Sequence, residues 1–184
     1  MEFLETERLI IRRFIAEDWK DLYEYLSNEE AVKYEPYGVF TEEECKEVAI
    51  WRGKQEFFWA VCLKEKNKLI GNIYFNQEEP KEFYTWEIGY VFNPKYWGKG
   101  YATEACEVFL KGAFEKLNAH RVVAMCNPKN SASWRLLERL NMRREGHFYK
   151  KAFFKRDEKG MPIWHDAYAY GILAEEWDKL FKGL

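Results

Sequence analysis

Residues 84–105 read YTWEIGYVFNPKYWGKGYATEA, and the fold turns on this stretch. Residues 84–92 are rich in aromatic and β-branched side chains and predict a strand. Asn93-Pro94 stops it, because proline has no amide to give to a ladder. Gly98-Lys99-Gly100 follows, and then Thr103 to Lys116 places Ala105, Phe109 and Ala113 at helical spacing, with Ala102 and Cys106 flanking. A strand therefore runs through a glycine turn straight into a helix. Glycines let backbone approach a ligand, and the first turn of a helix offers unpaired N–H groups and a positive dipole end. Together they make a preformed anion site suited to a pyrophosphate. A turn that uses its glycines only for tight packing is the plainer alternative.

On the N-terminal side, residues 8–14 (RLIIRRF) predict a strand. Ala16 to Leu26 carries Trp19, Leu22, Tyr23 and Leu26 on one helical face. Thr41 and Glu44 form a capping-box pattern that opens a second helix through about Lys54. Residues 57–64 and 69–76 then predict two strands that join 84–92 in an antiparallel meander, with EKNK and QEEPKEF as hairpin loops. On the C-terminal side, 121–126 (RVVAMC) predicts a strand and Ser131 to Leu140 a helix. Two more strands, about 143–151 and 165–173, flank a polar turn centred on Asp157 to Gly160. The order gives an α/β chain with one mixed sheet, antiparallel in its first half and holding one βαβ crossover in its second.

The chain has 184 residues, enough for one domain with its own core, and no repeat or Gly/Ser linker divides it; residues 1–184 read as a single domain. A hydrophobic content of 47% with 33% charged residues excludes a disordered chain. The net charge of −2 argues against a nucleic-acid binder. Glu2 and Glu5 precede an apolar run of only Leu9 to Ile11, so neither a signal peptide nor a membrane helix is expected. Cys45, Cys62, Cys106 and Cys126 form no CxxC pair and lie in apolar segments, which predicts buried reduced thiols and a cytoplasmic location. His120, His147 and His165 lack zinc-ligand spacing, and no metal site is expected.

Two nucleotide patterns fit the glycine turn incompletely. A P-loop needs GxxxxGK[ST], whereas Lys99 lies between the glycines and no Ser or Thr follows it. The dinucleotide fingerprint needs a third glycine where Thr103 stands and an acid where residues 118–121 read Asn-Ala-His-Arg, which leaves NAD a runner-up. WGKGYA at 97–102, preceded by EIGYVFNP and followed by TEA, resembles instead the acetyl-CoA-binding motif of the GNAT N-acetyltransferases, in particular the RimJ/RimL-like branch. ETERLIIRRF, NSASWRLLERLNM and HDAYAYGILAEEW resemble that branch as well, so the likeness runs nearly end to end.

The resemblance implies a mostly antiparallel central sheet splayed around a CoA site and flanked by about four helices. It also implies transfer of an acetyl group from acetyl-CoA to a primary amine by direct attack. The acceptor would be a protein N-terminus or a small-molecule amine. Its cofactor-binding positions fall on Val91 and Phe92 at the strand end, on Gly98, Lys99, Gly100, Tyr101, Ala102 and Thr103 in the turn, and on Asn130 before the later helix. Trp97 stands where the family pattern has Gln or Arg, and Asn141 where it has Gly. The resemblance places Glu87 as the base, acting directly or through water, and Gly89 two residues on along the same strand face. The position that often carries a thiolate-protonating Tyr is Leu137, and Ser133 is then the partner for the thiolate, with water as the alternative. Asn130 also satisfies a plain helix cap, and Glu87 a plain strand hydrogen bond.

A base matters in proportion to the acceptor. Holding an alkyl amine of pKa near 10.4 neutral at pH 7 costs about 4–5 kcal/mol, and an α-amine only about 1 kcal/mol. Residues 29–47 hold seven acids against two lysines, a local net of −5 that would attract a cationic amine or simply be a solvated face. Tyr34, Tyr37, Phe40, Trp51 and Trp59 are candidates for an acceptor pocket or for core. A non-catalytic acyl-CoA sensor of the same fold is the second reading, and both a monomer and a homodimer stay open.

Overall fold

The computed structural model describes residues 3–181. Thirteen regular elements follow in chain order: β1 (Phe3–Glu5), β2 (Leu9–Arg12), α1 (Trp19–Leu26), α2 (Glu42–Gly53), β3 (Phe58–Leu63), β4 (Lys68–Gln77), β5 (Thr85–Phe92), α3 (Tyr101–Lys116), β6 (Arg121–Cys126), α4 (Ser131–Arg139), β7 (Arg143–Arg156), β8 (Pro162–Leu173) and α5 (Ala174–Phe181). The strands hydrogen-bond in the order β1-β2-β3-β4-β5-β6-β8-β7. The β5–β6 ladder is parallel, whereas β1–β2, β2–β3, β3–β4, β6–β8 and β7–β8 are antiparallel. The expected mixed sheet with one crossover is therefore present. The helices number five among the described residues instead of about four, because AEEWDKLF after β8 forms α5.

Two compact units share the chain: Met1–Lys33, Gly38–Asn76 and Ile88–Lys111 in the first, Tyr34–Tyr37, Gln77–Glu87 and Gly112–Leu184 in the second. In the first unit the meander carries helices on both faces. Trp59 and Phe75 turn to one face and meet Phe109 of α3 at ring distances of 5.6 and 5.2 Å. Asn72 turns to the other, where its Oδ1 accepts from the Tyr25 hydroxyl on α1 (2.9 Å) and from Arg52 Nη1 on α2 (3.0 Å). Buried polar groups must find partners, so this triad fixes how both helices lie on the strands. Thr41 and Glu44 make the expected capping box, and α2 turns Cys45, Ala49 and Arg52 inward. Gly71 is a packing requirement: a Cβ there would stand 2.5 Å from Phe92 Cδ1.

In the second unit β6 pairs with the start of β5 on one side and with β8 on the other, and β7 forms the edge. Phe114 stacks on Trp177 at 5.5 Å, which seats α5 against the end of α3. Tyr170 donates from its hydroxyl to Glu138 (3.1 Å) and ties α4 to β8. The last two strands run to Arg143–Arg156 and Pro162–Leu173, longer than the expected 143–151 and 165–173. Lys155 and Arg156, next to the polar turn at Asp157 to Gly160, make the extension read as loop. Pairing satisfies the backbone whatever the side chains, and register shifts between Phe148/Ala152 and Phe153/Lys155 absorb the irregularity. β1 was outside the sequence expectation altogether, being three residues long.

Candidate active site

The turn that opens α3 is built in the first unit. Gly98 and Gly100 hold φ of 72° and 82°, the left-handed region that side chains disfavour. Space in front of Gly98 is open, with nothing within 4 Å of a Cβ built there. The Glu104 amide donates to the Gly100 carbonyl (3.0 Å), so the amides of Tyr101, Ala102 and Thr103 lie ahead of the first intrahelical bond and lack an i−4 partner. Backbone N–H groups, a helix N-terminus and two glycines thus converge on one cradle of anion-binding chemistry.

Side chains that sequence reasoning left without a role hold this cradle. Trp97, in the place of the family's Gln or Arg, donates from Nε1 to the Phe92 carbonyl at 2.8 Å and pins the turn to the end of β5. Arg8 reaches from the strand start to donate through Nη1 to the Lys99 carbonyl (3.0 Å) and through Nε to Glu104 (2.7 Å). Its guanidinium lies 4.4 Å from the Tyr101 ring. Glu104 also accepts from the Thr6 hydroxyl and the Arg8 amide. Burial pushes the Glu104 carboxyl up, but these donors and the Arg8 charge outweigh it and hold it below the ordinary value. Lys99 folds back over Tyr96 and donates to the Lys95 carbonyl, away from the amides. Val91 and Phe92 are buried, and the Phe92 ring packs over Gly71.

Glu87, Asn130 and Ser133 belong to the second unit. The parallel ladder pairs Thr85 with Arg121, Trp86 with Val122 and Glu87 with Val123, so Glu87 is the last of β5 to pair with β6. Its carboxyl is raised above the ordinary glutamate value, by burial first and by the negative charge of Glu78 second. A carboxyl raised in this way takes up a proton at a higher pH than an ordinary glutamate. Asn130 caps α4, its Oδ1 accepting from the Ser133 amide at 3.2 Å. Ser133 hydrogen-bonds the Cys126 thiol, so its hydroxyl already faces sulfur. Burial outweighs that bond and pushes the Cys126 thiol up to about 11, which leaves it a poor nucleophile. Leu137 is fully buried, and Asn141 adopts the left-handed conformation (φ 59°) expected of a glycine substitute.

Of the acceptor candidates, Trp59 is core, packed on Phe109 with the Arg13 guanidinium 3.8 Å from its ring. Trp51 is half exposed at the end of a ring cluster with Phe57 and Phe58. Tyr34 donates to the Lys129 carbonyl at 3.1 Å within the second unit. Part of the acidic rim is internally occupied: Lys46 pairs with Glu42 and Glu43, and Glu44 is used in the cap. All four cysteines are buried and unpaired. Among the described residues no helix is long and apolar enough to cross a membrane, and no cluster of metal ligands occurs.

Known proteins share the sequence and the fold of this chain. The family described as acetyltransferase (GNAT) domain matches residues 8–143. The Bacillus subtilis (strain 168) protein named uncharacterized N-acetyltransferase YnaD is 43% identical over 95% of this chain and 99% of its own length. A GNAT-family acetyltransferase from Bacillus anthracis superposes with a TM-score of 0.86 at 41% identity, covering 95% of this chain and 99% of that one. The Escherichia coli (strain K12) [ribosomal protein uS5]-alanine N-acetyltransferase is more distant, 25% identical over 95% of this chain and 92% of its length. The chain belongs to the GNAT acetyltransferase family, whose members acetylate amines from acetyl-CoA.

Proposed function

We propose that residues 1–184 act as one cytoplasmic N-acetyltransferase domain whose turn at Gly98 to Thr103 takes the pyrophosphate of acetyl-CoA. The observation that carries this reading is the pair of left-handed glycines set immediately before the unpaired amides of α3. Lys99 contributes charge near the cradle but its ammonium is turned toward Tyr96, so the amides bear the main load. Glu87 accepts the proton of the attacking amine, directly or through one water. Ser133 donates its hydroxyl hydrogen bond to the departing thiolate, as it does to the Cys126 thiol. The acceptor is a primary amine, either a protein N-terminus, as the name of the distant E. coli relative describes for that protein, or a small molecule. An α-amine makes the least demand on a single carboxylate base, since it loses its proton at a cost of about 1 kcal/mol. Acidic residues on α2 disfavour acidic acceptors, and neither nucleic acid nor membrane is required.

The test is a thermal-shift titration with acetyl-CoA, CoA and NAD in parallel, followed by a free-thiol assay over N-terminal peptides and small amines. Saturation a hundredfold above Kd adds about 2.7 kcal/mol of stability. A shift with acetyl-CoA and none with NAD, then thiol release with one acceptor class, supports the reading. No shift with acetyl-CoA removes the cradle assignment. A shift with no thiol release on any amine leaves the acyl-CoA sensor, which the buried Leu137 in place of a proton-bearing Tyr would then explain.

A further inference from the structure

β6 is an interior strand, paired with β5 on one side and with β8 on the other. Val122, Ala124 and Cys126 fill one of its faces and are buried. On the opposite face Val123 is half-buried and Met125 is 51% exposed. A parallel ladder such as β5–β6 is ordinarily covered on both sides, so an uncovered methionine on an interior strand marks a contact surface. The registers put Glu87 and Gly171 beside Val123 and Ala169 beside Met125, and alternation puts Ala167 next along the same face. Phe148 stands opposite Ala167 on β7 and lays its ring over Gly146, 3.8 Å from where a Cβ would be. The result is a trough with an alanine floor, bounded by Met125 and the 44% exposed Phe148 and beginning at Glu87. All of it belongs to the second unit.

The trough has one open direction. Across the sheet from Glu87 it is shut, because the Glu145 carboxylate fills the space at Gly171, 2.8 Å from a Cβ built there. Arg121 and Arg143 hold that carboxylate in place. Along β6 the trough continues past Met125 to Asn127, about 13 Å from the Glu87–Val123 rung at about 3.3 Å per residue. There Asn127 Oδ1 accepts from the Lys129 amide at 2.9 Å, which turns its Nδ2 to His165 Nδ1 at 3.4 Å. A ring nitrogen that faces an amide N–H must accept, so the neutral His165 ring carries its hydrogen on Nε2. Phe154 stacks on that ring at 5.7 Å. An apolar trough thus leads from Glu87 to an oriented hydrogen-bond donor.

We propose that Met125 and His165 select the acceptor: an extended peptide N-terminus lies along β6 with its amine at Glu87, an apolar side chain on Met125 and the alanine floor, and a backbone carbonyl on His165 Nε2. The placement rests on Glu87 as the base. About four extended residues at about 3.4 Å each span the trough. A compact amine would reach Glu87 and leave Met125 and His165 unused.

The experiment is the free-thiol assay with peptide amides of one to six residues, varied at their second and third positions, alongside simple alkylamines. Wild type, Met125→Glu and His165→Phe are compared. Met125 is exposed and Phe keeps the stack on Phe154, and circular dichroism verifies that both variants are folded. For wild type, kcat/KM is expected to climb up to about four residues and then level off. An apolar side chain at one of the two varied positions should be favoured over an acidic one by about tenfold or more. Met125→Glu should abolish that preference. His165→Phe should cut the gain from two residues to four about fivefold, the worth of one hydrogen bond. Calorimetric binding of the same peptides in the presence of CoA reads the trough without the chemistry. Peptides that bind with these preferences yet release no thiol would sink Glu87 as the base and keep the roles of Met125 and His165. Turnover that is best with a compact amine, a flat length series, or preferences that both variants leave intact overturns the proposal. So does the absence of any peptide binding.

Discussion

At the scale of single residues, Glu87 and Trp97 carry the sharpest expectations. Glu87 is raised because burial removes water from its charged form and Glu78 adds like charge. The ionised fraction that can accept a proton therefore appears at a higher pH than for an ordinary glutamate. Glu87→Gln is expected to lower kcat by about 100-fold or more, with acetyl-CoA affinity within a few fold. The acid limb of the kcat/KM profile, which rises through the raised Glu87 value, should disappear in the variant. An unchanged acid limb would assign that limb to another group. Trp97→Phe keeps the ring and removes the Nε1 bond to the Phe92 carbonyl. A hydrogen bond of this kind is worth about 1 kcal/mol, so acetyl-CoA should bind about fivefold more weakly by calorimetry, with kcat unchanged at saturation. Binding as tight as wild type would reduce Trp97 to a surface residue. That tie could not be found in the sequence, where only the departure of Trp97 from Gln or Arg is visible. The acceptor oxygen belongs to a main-chain carbonyl, which every residue has.

Among the elements, local chemistry made the turn and helices legible and left the ties between distant segments hidden. The glycine turn, the capping box at Thr41, the β6 limits and the left-handed Asn141 are set by residues within a few positions of one another. Arg8 and Glu104 are 96 residues apart, and no periodicity announces their pairing. The length of β7 was misread for a related reason, since its backbone partner decides the strand and its charged side chains only decorate it. α5 begins at Ala174 directly after β8 ends at Leu173, with no proline, glycine or Ser/Thr/Asp/Asn cap between them to mark a helix start. Trp59 shows the opposite failure: an aromatic residue reads equally well as pocket or core until Phe109 is seen against it. The turn itself can be tested at this scale. Gly100→Ala meets two obstacles, a φ of 82° and Arg8 Nη2 at 3.3 Å from the new Cβ. Forcing a left-handed alanine costs about 1–2 kcal/mol, so the expected result is at least a fivefold loss of acetyl-CoA affinity and a lower Tm. Gly98→Ala shares the φ strain without the clash, and should lose less affinity. Equal losses in both would mean that backbone conformation alone governs the cradle.

For the whole molecule, charge decides how stability depends on pH. Burial pushes Glu24 up, yet its bond to Lys68 and the charges of Lys68 and Lys95 outweigh that and leave it below the ordinary 4.5. Glu104 is lowered against the same opposition, by Thr6 and Arg8. Glu176 is lowered by the Leu173 amide and then by Arg143, Glu44 by Thr41, and Asp166 by the Lys150 amide and then His147. A carboxylate with a depressed folded pKa gives stability that is fully present above its unfolded value and is lost as pH falls through the folded one. Glu87 runs the other way: its contribution is present below the ordinary glutamate value and fades as pH climbs through the raised one. Five depressed carboxyls against one raised predict a Tm that holds near neutrality and falls as pH drops below about 4.5. Calorimetric Tm measured across that range checks the sign, and a Tm that rises on acidification would refute it. Glu104→Gln should flatten the acid slope as well as lower the neutral Tm, because Thr6 and Arg8 lose a shared acceptor whose ionisation their hydrogen bonds depend on. A variant with the wild-type slope and only a lower plateau would show that Glu104 serves by packing, and that the acid sensitivity resides in Glu24 and Glu176.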